Sequence, residues 1–253
     1  MASLAGPDPD SLPPHPHLDH FYDDASRRRT YVHELFDHSA SSYEWIAKAM
    51  SLGSGGWYRR AALKRAGLEA GHELLDVATG TGPVARAGRK ILGEHGRIVG
   101  LDPSFGMLRE QRRRFRVIPL RGLAEELPIR DGSFDLLSMG YALRHVADLR
   151  LTFREFYRVL RPGGRLLVLE LTPPRSATGF RFMRFYLKTV VPGITLLLSR
   201  SRQAAKLMRY HWETIERCVP PEQILAAMDA AGFGEVQRYV TGGIFSEYRG
   251  RRD

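Results

Sequence analysis

The sequence has little cysteine and no long apolar run. Its one cysteine, Cys218, has no partner for an internal disulfide and no companion in a C-x-x-C metal pair. The longest apolar stretch, residues 190–198, includes a proline and a glycine, whereas a membrane-spanning helix needs about twenty apolar residues. We therefore expect no disulfide, no metal site, no transmembrane helix and a cytoplasmic location.

The first twenty residues also contain no apolar run, and five of them are prolines. A secretory signal requires an apolar segment, so this N-terminus excludes one. A proline-rich polar segment buries too little apolar surface to offset the entropy of ordering it. Residues 1–28 are therefore predicted to form a disordered tail.

The net charge suggests two classes of partner. The chain has 253 residues, 43% of them hydrophobic, and a formal net charge of +10. Such a charge attracts nucleic acid or an anionic membrane surface. The arginines responsible are spread through nearly every segment, which is typical of a solvated surface, so we expect no nucleic-acid partner.

Apolar spacing divides the chain into two parts. Between residues 31 and 66, apolar side chains recur at helical intervals around a glycine-rich loop, which predicts an N-terminal helical lid over residues 29–70. Short β-rich runs then alternate with helical stretches, at residues 73–78, 97–101, 116–120, 134–139 and 165–171. Such alternation predicts βαβ units and a parallel sheet.

The C-terminal part departs from this alternation. Residues 176–220 are typical of a helical insertion, and two runs at 235–240 and 244–248 predict an antiparallel pair. The predicted fold class is therefore α/β. A Rossmann-like, doubly wound sheet spans residues 71–253, mostly parallel with an antiparallel strand at its C-terminal end, and carries N-terminal helices and the insertion.

A glycine-rich turn follows the first predicted strand. Gly80, Gly82 and Ala85 satisfy the pattern G-x-G-x-x-A, and Asp102 lies about twenty residues further on, as in a dinucleotide-binding fingerprint. Glycine lets the backbone approach a ligand closely. By itself, the turn is compatible with NAD and with S-adenosylmethionine.

Two neighbours of the turn distinguish these cofactors. Pro83 removes one of the N–H donors that a pyrophosphate requires at a helix N-terminus. Asp76 places a negative charge beside the turn, which suits the cationic amino group of S-adenosylmethionine better than a pyrophosphate. Asp102 would accept hydrogen bonds from ribose hydroxyls of either cofactor, or else cap a helix. The turn therefore favours S-adenosylmethionine.

A longer motif carries a family resemblance. Residues 158–170 read RVLRPGGRLLVLE, and shorter matching pieces are Phe134-Asp135, Leu143-Arg144 and Met50-Ser51. Through these segments, residues 36–249 resemble the UbiE-type ubiquinone/menaquinone biosynthesis C-methyltransferases. The resemblance implies a Rossmann-like methyltransferase that uses S-adenosylmethionine and methylates a ring carbon of a quinol.

The chain departs from the family pattern near the expected ligands. Tyr43 is kept, but the Met-Asn pair that follows it in the family is lost. Leu123 stands where the family has a polar residue that reads the adenine amino group, Gly140 replaces a serine, and His145 replaces an asparagine. The chain is therefore interpreted as a divergent paralogue.

The turn and the resemblance together predict the cofactor site. Its residues are expected at the glycine-rich turn, at the ends of the second and fourth strands, and in the loop that holds adenine. They are Asp76, Ala78, Thr79, Gly80, Thr81, Gly82, Asp102, Pro103, Met107, Leu123, Ala124, Glu125 and Gly140.

Catalysis at a ring carbon requires a base, since carbon is a poor nucleophile until a neighbouring hydroxyl loses its proton. His145 is the candidate, because imidazole titrates near neutral pH and the residue is predicted at the carboxyl edge of the sheet; otherwise it is a surface or capping histidine. Arg144 and Asp148 are predicted to hold a substrate oxygen or a water, or else to pair with each other.

The acceptor pocket is predicted to be aromatic. Aromatic residues at such spacings either line a pocket or pack in the core. The four candidates for the pocket are Tyr43, Tyr141, Tyr210 and His211.

The predicted function is that of an S-adenosylmethionine-dependent methyltransferase acting on a small aromatic or quinol-like acceptor, at a ring carbon. Three alternatives stay open: O- or N-methylation of another small metabolite, a non-catalytic paralogue that binds the cofactor, and a NAD-dependent reductase. The sequence does not fix the oligomeric state, and a homodimer is compatible with it.

Part of the predicted insertion has the composition of a membrane-contacting segment. Residues 180–188 interleave aromatics with cations, and the apolar run 190–198 follows. Such a segment can lie in the lipid interface without spanning it. Residues 180–209 are therefore predicted to make peripheral contact with the inner membrane; alternatively, their aromatics pack onto the sheet.

Overall fold

The computed structural model describes residues 11–22, 24, 27–50, 55–114, 116–199 and 202–253, with side chains except at 41–50, 114, 198–199 and 202–205. Within these residues the sheet has seven strands: β1 Glu73–Val77, β2 Arg97–Asp102, β3 Ile118–Arg121, β4 Phe134–Gly140, β5 Leu160–Leu171, β6 Phe233–Thr241 and β7 Phe245–Arg252.

The strand order is β3-β2-β1-β4-β5-β7-β6. The strands from β1 to β5 are parallel, whereas β7 runs antiparallel to both β5 and β6. This confirms the predicted Rossmann-like α/β class. β1 lies between β2 and β4, so the strand order reverses at β1. This reversal opens a crevice at the carboxyl ends of these strands.

Nine α-helices lie within the described residues: α1 Arg28–Met50, α2 Gly55–Arg65, α3 Pro83–Leu92, α4 Phe105–Arg114, α5 Leu149–Val159, α6 Ala177–Phe185, α7 Val191–Ser199, α8 Arg202–Glu216 and α9 Pro221–Ala230. A 3-10 turn at Leu143–His145 follows β4, and a π-helical turn at Tyr186–Val190 joins α6 to α7. Among the described residues, no helix is both long and apolar enough to cross a bilayer.

The core has two layers, one on each face of the sheet. Side chains alternate across a strand, so Leu75 of β1 packs with Phe153 of α5 on one face, and Leu74 packs with Leu63 of α2 on the other. All four are fully buried, and each such side chain contributes about 1.5–3 kcal/mol when it leaves water. These layers hold the carboxyl ends of the strands in fixed positions.

The N-terminal segment differs from the predicted disordered tail over residues 11–22. The Leu12 N–H donates to Asp148 Oδ2 at 3.2 Å, and the Leu12 carbonyl accepts from the Leu149 N–H at 2.9 Å. The Val219 N–H donates to the Pro14 carbonyl at 2.8 Å, and Leu18 is fully buried. Composition alone suggests that the entropy cost of ordering this segment is too large. Its hydrogen bonds and its burial against α8 offset that cost.

Candidate active site

A cavity of about 720 Å³ lies at the carboxyl ends of β1, β2 and β4. The N-terminal segment and α1 form its opposite wall. Ligand pockets commonly measure about 300–1,000 Å³, so this cavity has the size of a ligand-binding site. Eleven residues expected at the site line it: Ala78, Gly80, Asp102, Pro103, Met107, Leu123, Ala124, Glu125, Gly140, Tyr141 and His145.

A smaller cavity of about 80 Å³ adjoins it. Ala78, Gly80, Gly140 and Tyr141 contribute to both cavities. Four other expected residues line only the smaller one: Asp76, Thr79, Arg144 and His211. Among the described residues around the two cavities, the lining does not include Thr81, Gly82, Asp148 or Tyr210.

The carboxylate of Asp76 stabilises the glycine-rich turn through hydrogen bonds. It is fully buried, and its Oδ2 accepts hydrogen bonds from Thr79 Oγ1 at 2.7 Å and from the Ala85 N–H at 3.2 Å. Its Oδ1 accepts from Ser138 Oγ at 2.7 Å. Burial raises the pKa of Asp76 to about 6. At neutral pH the carboxylate therefore remains largely ionised and adds negative charge beside the smaller cavity.

Asp102 lies at the end of β2 on the wall of the larger cavity. Its Oδ2 accepts from the Gly80 N–H at 2.8 Å and its Oδ1 from the Ser104 N–H at 2.9 Å. Burial raises its pKa to about 6. The residue therefore ties the glycine-rich turn to the start of α4, while its remaining acceptor positions are available for ribose hydroxyls.

Two residues of the cavity wall have strained backbones. Ala78 follows β1 with φ 51°, and Tyr141 follows β4 with φ 61°. The left-handed region costs roughly 1–3 kcal/mol for residues other than glycine. The Tyr141 N–H donates to the Leu169 carbonyl at 2.7 Å, which holds this conformation. Strain at the ends of two adjacent strands is typical of a functional site.

His145 presents a base without a hydrogen-bond partner. Both of its ring nitrogens are buried and make no hydrogen bond. Its ring stacks on that of Tyr210 at 5.5 Å and meets the ring of Phe36 edge-on at 5.3 Å. Burial, followed by the Arg144 charge, lowers the pKa of His145 well below its usual range. The imidazole is therefore neutral and offers a free nitrogen lone pair to a ligand.

Arg144 is held by partners that the sequence does not identify. Its guanidinium is buried and forms an ion pair with Glu170. Arg144 Nε donates to Thr214 Oγ1 at 3.2 Å, and Nη2 donates to His211 Nδ1 at 3.0 Å. The possible pairing of Arg144 with Asp148 is therefore wrong.

Asp148 has a structural role at the start of α5. Its Oδ1 accepts from the Arg150 N–H at 2.7 Å and from the Leu151 N–H at 3.0 Å, which is a helix N-cap. The expectation that Asp148 holds a substrate oxygen is corrected accordingly, because its side chain lines neither cavity.

The predicted aromatic residues occupy different parts of the site. Tyr141 lines both cavities and His211 the smaller one. Tyr210 lies behind His145, fully buried, and packs edge-on against Phe21 at 5.3 Å. The side chain of Tyr43 lies outside the described side chains. Only part of the predicted pocket therefore borders a cavity directly.

Sequence reasoning missed the N-terminal contribution to the cavity. Arg28 Nη2 donates to the carbonyls of Arg144 at 3.2 Å and Val146 at 3.0 Å, and contacts His15 Nε2 at 3.1 Å. Burial and the Arg28 charge lower the pKa of His15 to about 4. A histidine in a proline-rich stretch and one arginine among many gave no signal of these contacts.

The local packing explains one departure from the family pattern. A Cβ at Gly140 would lie 2.6 Å from Val84 Cγ2, inside van der Waals contact. A serine at this position therefore requires Val84 to move. Leu123 is half-buried on the wall of the larger cavity, where it adds apolar surface.

Sequence comparison gives a consistent family match. The model of the ubiE/COQ5 methyltransferase family matches residues 24–252. The demethylmenaquinone methyltransferase of Symbiobacterium thermophilum is 34% identical over 221 residues, which cover 82% of this chain and 86% of that protein. The ubiquinone/menaquinone biosynthesis C-methyltransferase UbiE of Pseudoalteromonas translucida is 31% identical over 231 residues, covering 88% and 91%.

Solved structures share the fold. A Thermotoga maritima S-adenosylmethionine-dependent methyltransferase, described as a possible histamine N-methyltransferase, has a TM-score of 0.62 at 24% identity and covers 87% of this chain and 99% of its own. The phosphoethanolamine N-methyltransferase 2 of Haemonchus contortus, in complex with S-adenosylmethionine, has a TM-score of 0.59 at 18% identity and covers 85% and 57%.

Proposed function

The chain belongs to the ubiE/COQ5 methyltransferase family and is an S-adenosylmethionine-dependent methyltransferase, and we propose that it methylates a ring carbon of a lipid-soluble quinol. The relatives named for demethylmenaquinone and for ubiquinone/menaquinone biosynthesis support this acceptor class. The observation that carries the proposal is one cavity that joins Asp102 to His145. At the other end of the cavity, the His145 ring contacts the aromatic rings of Phe36 and Tyr210.

The lining suits the cofactor at one end of this cavity. Asp102 offers carboxylate oxygens to a ribose, and Leu123 with Ala124 forms an apolar wall for the adenine ring. When bound, S-adenosylmethionine supplies an electrophilic methyl group, and its sulfur keeps the electron pair of the broken S–CH3 bond. Pro83 at the start of α3 leaves this turn less suited to a pyrophosphate.

His145 provides the proton acceptor that ring methylation needs. In our proposal an unpartnered ring nitrogen takes the proton from the quinol hydroxyl, which makes the neighbouring ring carbon nucleophilic. Methyl transfer leaves a neutral dienone. The methylated carbon then loses its proton and the oxygen takes one back, which restores the aromatic quinol, so the whole reaction releases one proton. Burial and the nearby Arg144 charge disfavour a lasting imidazolium, so the proton leaves His145 for solvent.

The helical insertion provides a surface for access to lipid. Phe182 and Phe185 of α6 are 69% and 60% exposed, and Leu197 of α7 is 76% exposed. The opposite face of this segment buries Met183 and Leu187 against α1 and α8. We propose that the membrane contact predicted for residues 180–209 is made by these exposed side chains of α6 and α7, which lie in the interface of the inner membrane, on the cytoplasmic side, where a polyprenyl quinol partitions.

Cations beside these apolar residues favour an anionic bilayer. Each basic residue near such a surface adds about 1 kcal/mol of attraction, and Arg181, Arg184 and Lys188 lie on this segment. Sedimentation with anionic liposomes at low salt should retain the protein, and changing all three cations to Gln should weaken retention. Self-association through the exposed face, with no liposome binding, would instead assign this surface to a homodimer.

The acceptor class can be tested without assuming one compound. We would incubate the protein with methyl-labelled S-adenosylmethionine and with separate lipid and aqueous fractions of cell extract. Label in a reduced lipid fraction supports the proposal. Label in the aqueous fraction points to O- or N-methylation of another metabolite, and cofactor binding without any transfer points to a non-catalytic paralogue.

A further inference from the structure

Arg59 of α2 is a buried cation without a protein anion. It is 9% exposed, and its Nε makes no hydrogen bond. Its guanidinium carbon lies 5.4 Å from the centre of the Tyr141 ring, and the side chain lines the smaller cavity. Among the described residues, no carboxylate forms an ion pair with it. A buried guanidinium in this state is costly unless a ligand neutralises it.

The carboxylates near Arg59 are already engaged. Glu170 pairs with Arg144, and Glu247 pairs with Arg65. Asp76 accepts three hydrogen bonds, one each from the glycine-rich turn, α3 and β4. The charge of Arg59 therefore acts on a nearby acid, Asp76, without a hydrogen bond between them, and the Arg59 side chain lines the smaller cavity.

We propose that Arg59 binds the carboxylate at the amino-acid end of S-adenosylmethionine. Of the two arginines that line the smaller cavity, Arg144 is paired with Glu170, which leaves Arg59 as the cation available to a ligand. Asp76 lines the same cavity and has an unused acceptor position. This pair of charges matches a zwitterionic amino acid, whose carboxylate faces the guanidinium and whose ammonium faces the acid. The Tyr141 ring supports the guanidinium by a cation–π contact.

The cavity geometry supports this orientation. The smaller cavity shares Ala78, Gly80 and Tyr141 with the larger one, so a ligand can occupy both through the glycine-rich turn. With its carboxylate at Arg59, the cofactor would extend past the turn toward Asp102. The sulfonium would then lie between the two ends, near the strained carboxyl ends of β1 and β4.

The test compares two ligands that differ only in the carboxylate. Calorimetry with S-adenosylmethionine and with decarboxylated S-adenosylmethionine should show that the intact protein prefers the carboxylated form by about 10- to 100-fold, the range for a charge-assisted pair. Arg59→Gln should remove this preference by weakening only the carboxylated ligand. Arg59→Lys should restore part of it.

Arg60, the exposed neighbour of Arg59, provides the matched control. Arg60→Gln should leave both affinities unchanged. Equal weakening of both ligands by Arg59→Gln, or no preference in the intact protein, would overturn the proposal; the latter measurement does not depend on any variant folding. Since no acceptor is present, the result is also independent of whether a quinol is the substrate.

Discussion

The rings of His145 and Tyr210 stack with their centroids 5.5 Å apart, and both ring nitrogens of His145 remain without a hydrogen-bond partner. A buried polar group is normally satisfied, so the exception indicates a partner that arrives with the substrate. Tyr210 is itself fixed by contacts with Phe21 and Tyr31. The stack therefore positions a base in surroundings that suit an aromatic acceptor.

Replacing His145 by Phe should distinguish the role of its ring nitrogens as a base from the role of its ring in the stack with Tyr210. The ring contact with Tyr210 is kept, and the nitrogens are lost. We expect kcat to fall by about 100-fold or more, the usual contribution of a positioned base, while calorimetry finds the affinity for S-adenosylhomocysteine unchanged. An unchanged kcat would show that His145 only fills space.

Cofactor binding should depend on pH through the two buried acids. The pKa values of Asp76 and Asp102 are both raised to about 6 by burial. The ammonium and the ribose hydroxyls favour the ionised carboxylates, so affinity for S-adenosylhomocysteine should rise between about pH 5 and pH 7. Asp102→Asn should weaken binding and reduce this slope. A pH-independent affinity in the unaltered protein would contradict the assignment.

Asp102 should make a contribution of opposite trend to the stability of the unliganded protein. The pKa of Asp102 is about 6 in the fold against an ordinary value of 3.8, so the folded state binds the proton more tightly. The contribution of this group to the free energy of unfolding is then fully present at low pH and declines as pH rises through 6. Denaturant titrations should show that the free energy of unfolding of the unaltered protein, minus that of Asp102→Asn, falls as pH rises from 3.8 to about 6.

Gly140 and Val84 should be coupled. Gly140→Ser places a Cβ 2.6 Å from Val84 Cγ2, so we expect the free energy of unfolding to fall by about 1–3 kcal/mol, as in other overpacked sites. Val84→Ala provides space, and the double variant should be less destabilised than the sum of the two changes. Full additivity in a double-mutant cycle would mean that the two side chains do not compete for space.

Leu123→Asp should strengthen cofactor binding or leave it unchanged. The substitution restores a polar acceptor where the family pattern has one, on the cavity wall beside Ala124. Leu123→Ala, which removes apolar surface without adding an acceptor, is the control. If Leu123→Asp abolishes binding in a folded protein, the leucine is an essential apolar wall and the adenine assignment is wrong.

The strand pattern and the glycine-rich turn were sufficient to predict the fold. Buried parallel strands have apolar sequences, as in β5, and the turn after β1 places Gly80 at the crevice. Both signals are local in sequence. They also predict which residues line the larger cavity around Asp102, because the carboxyl ends of adjacent parallel strands meet at one edge.

Other parts of the site depend on contacts that no local pattern encodes. Arg144, which follows β4, pairs with Glu170 of β5, although Asp148 is an acid much closer to it in sequence. Residues 11–22 become ordered because α5 and the segment before α9 present backbone partners to them. Arg59 is one of many arginines, and only its burial without an anion distinguishes it. Each depends on tertiary packing.

The most direct test of the proposed function is the position of the transferred methyl group. The protein would be incubated with S-adenosylmethionine labelled with carbon-13 at the methyl and with a reduced, prenylated naphthoquinol that has one free ring position. Our account predicts a product whose label is bonded to that ring carbon, formed with the reduced acceptor and not with the oxidised quinone. Label on an oxygen, or no labelled product from any reduced quinol while the protein binds S-adenosylhomocysteine, would contradict it.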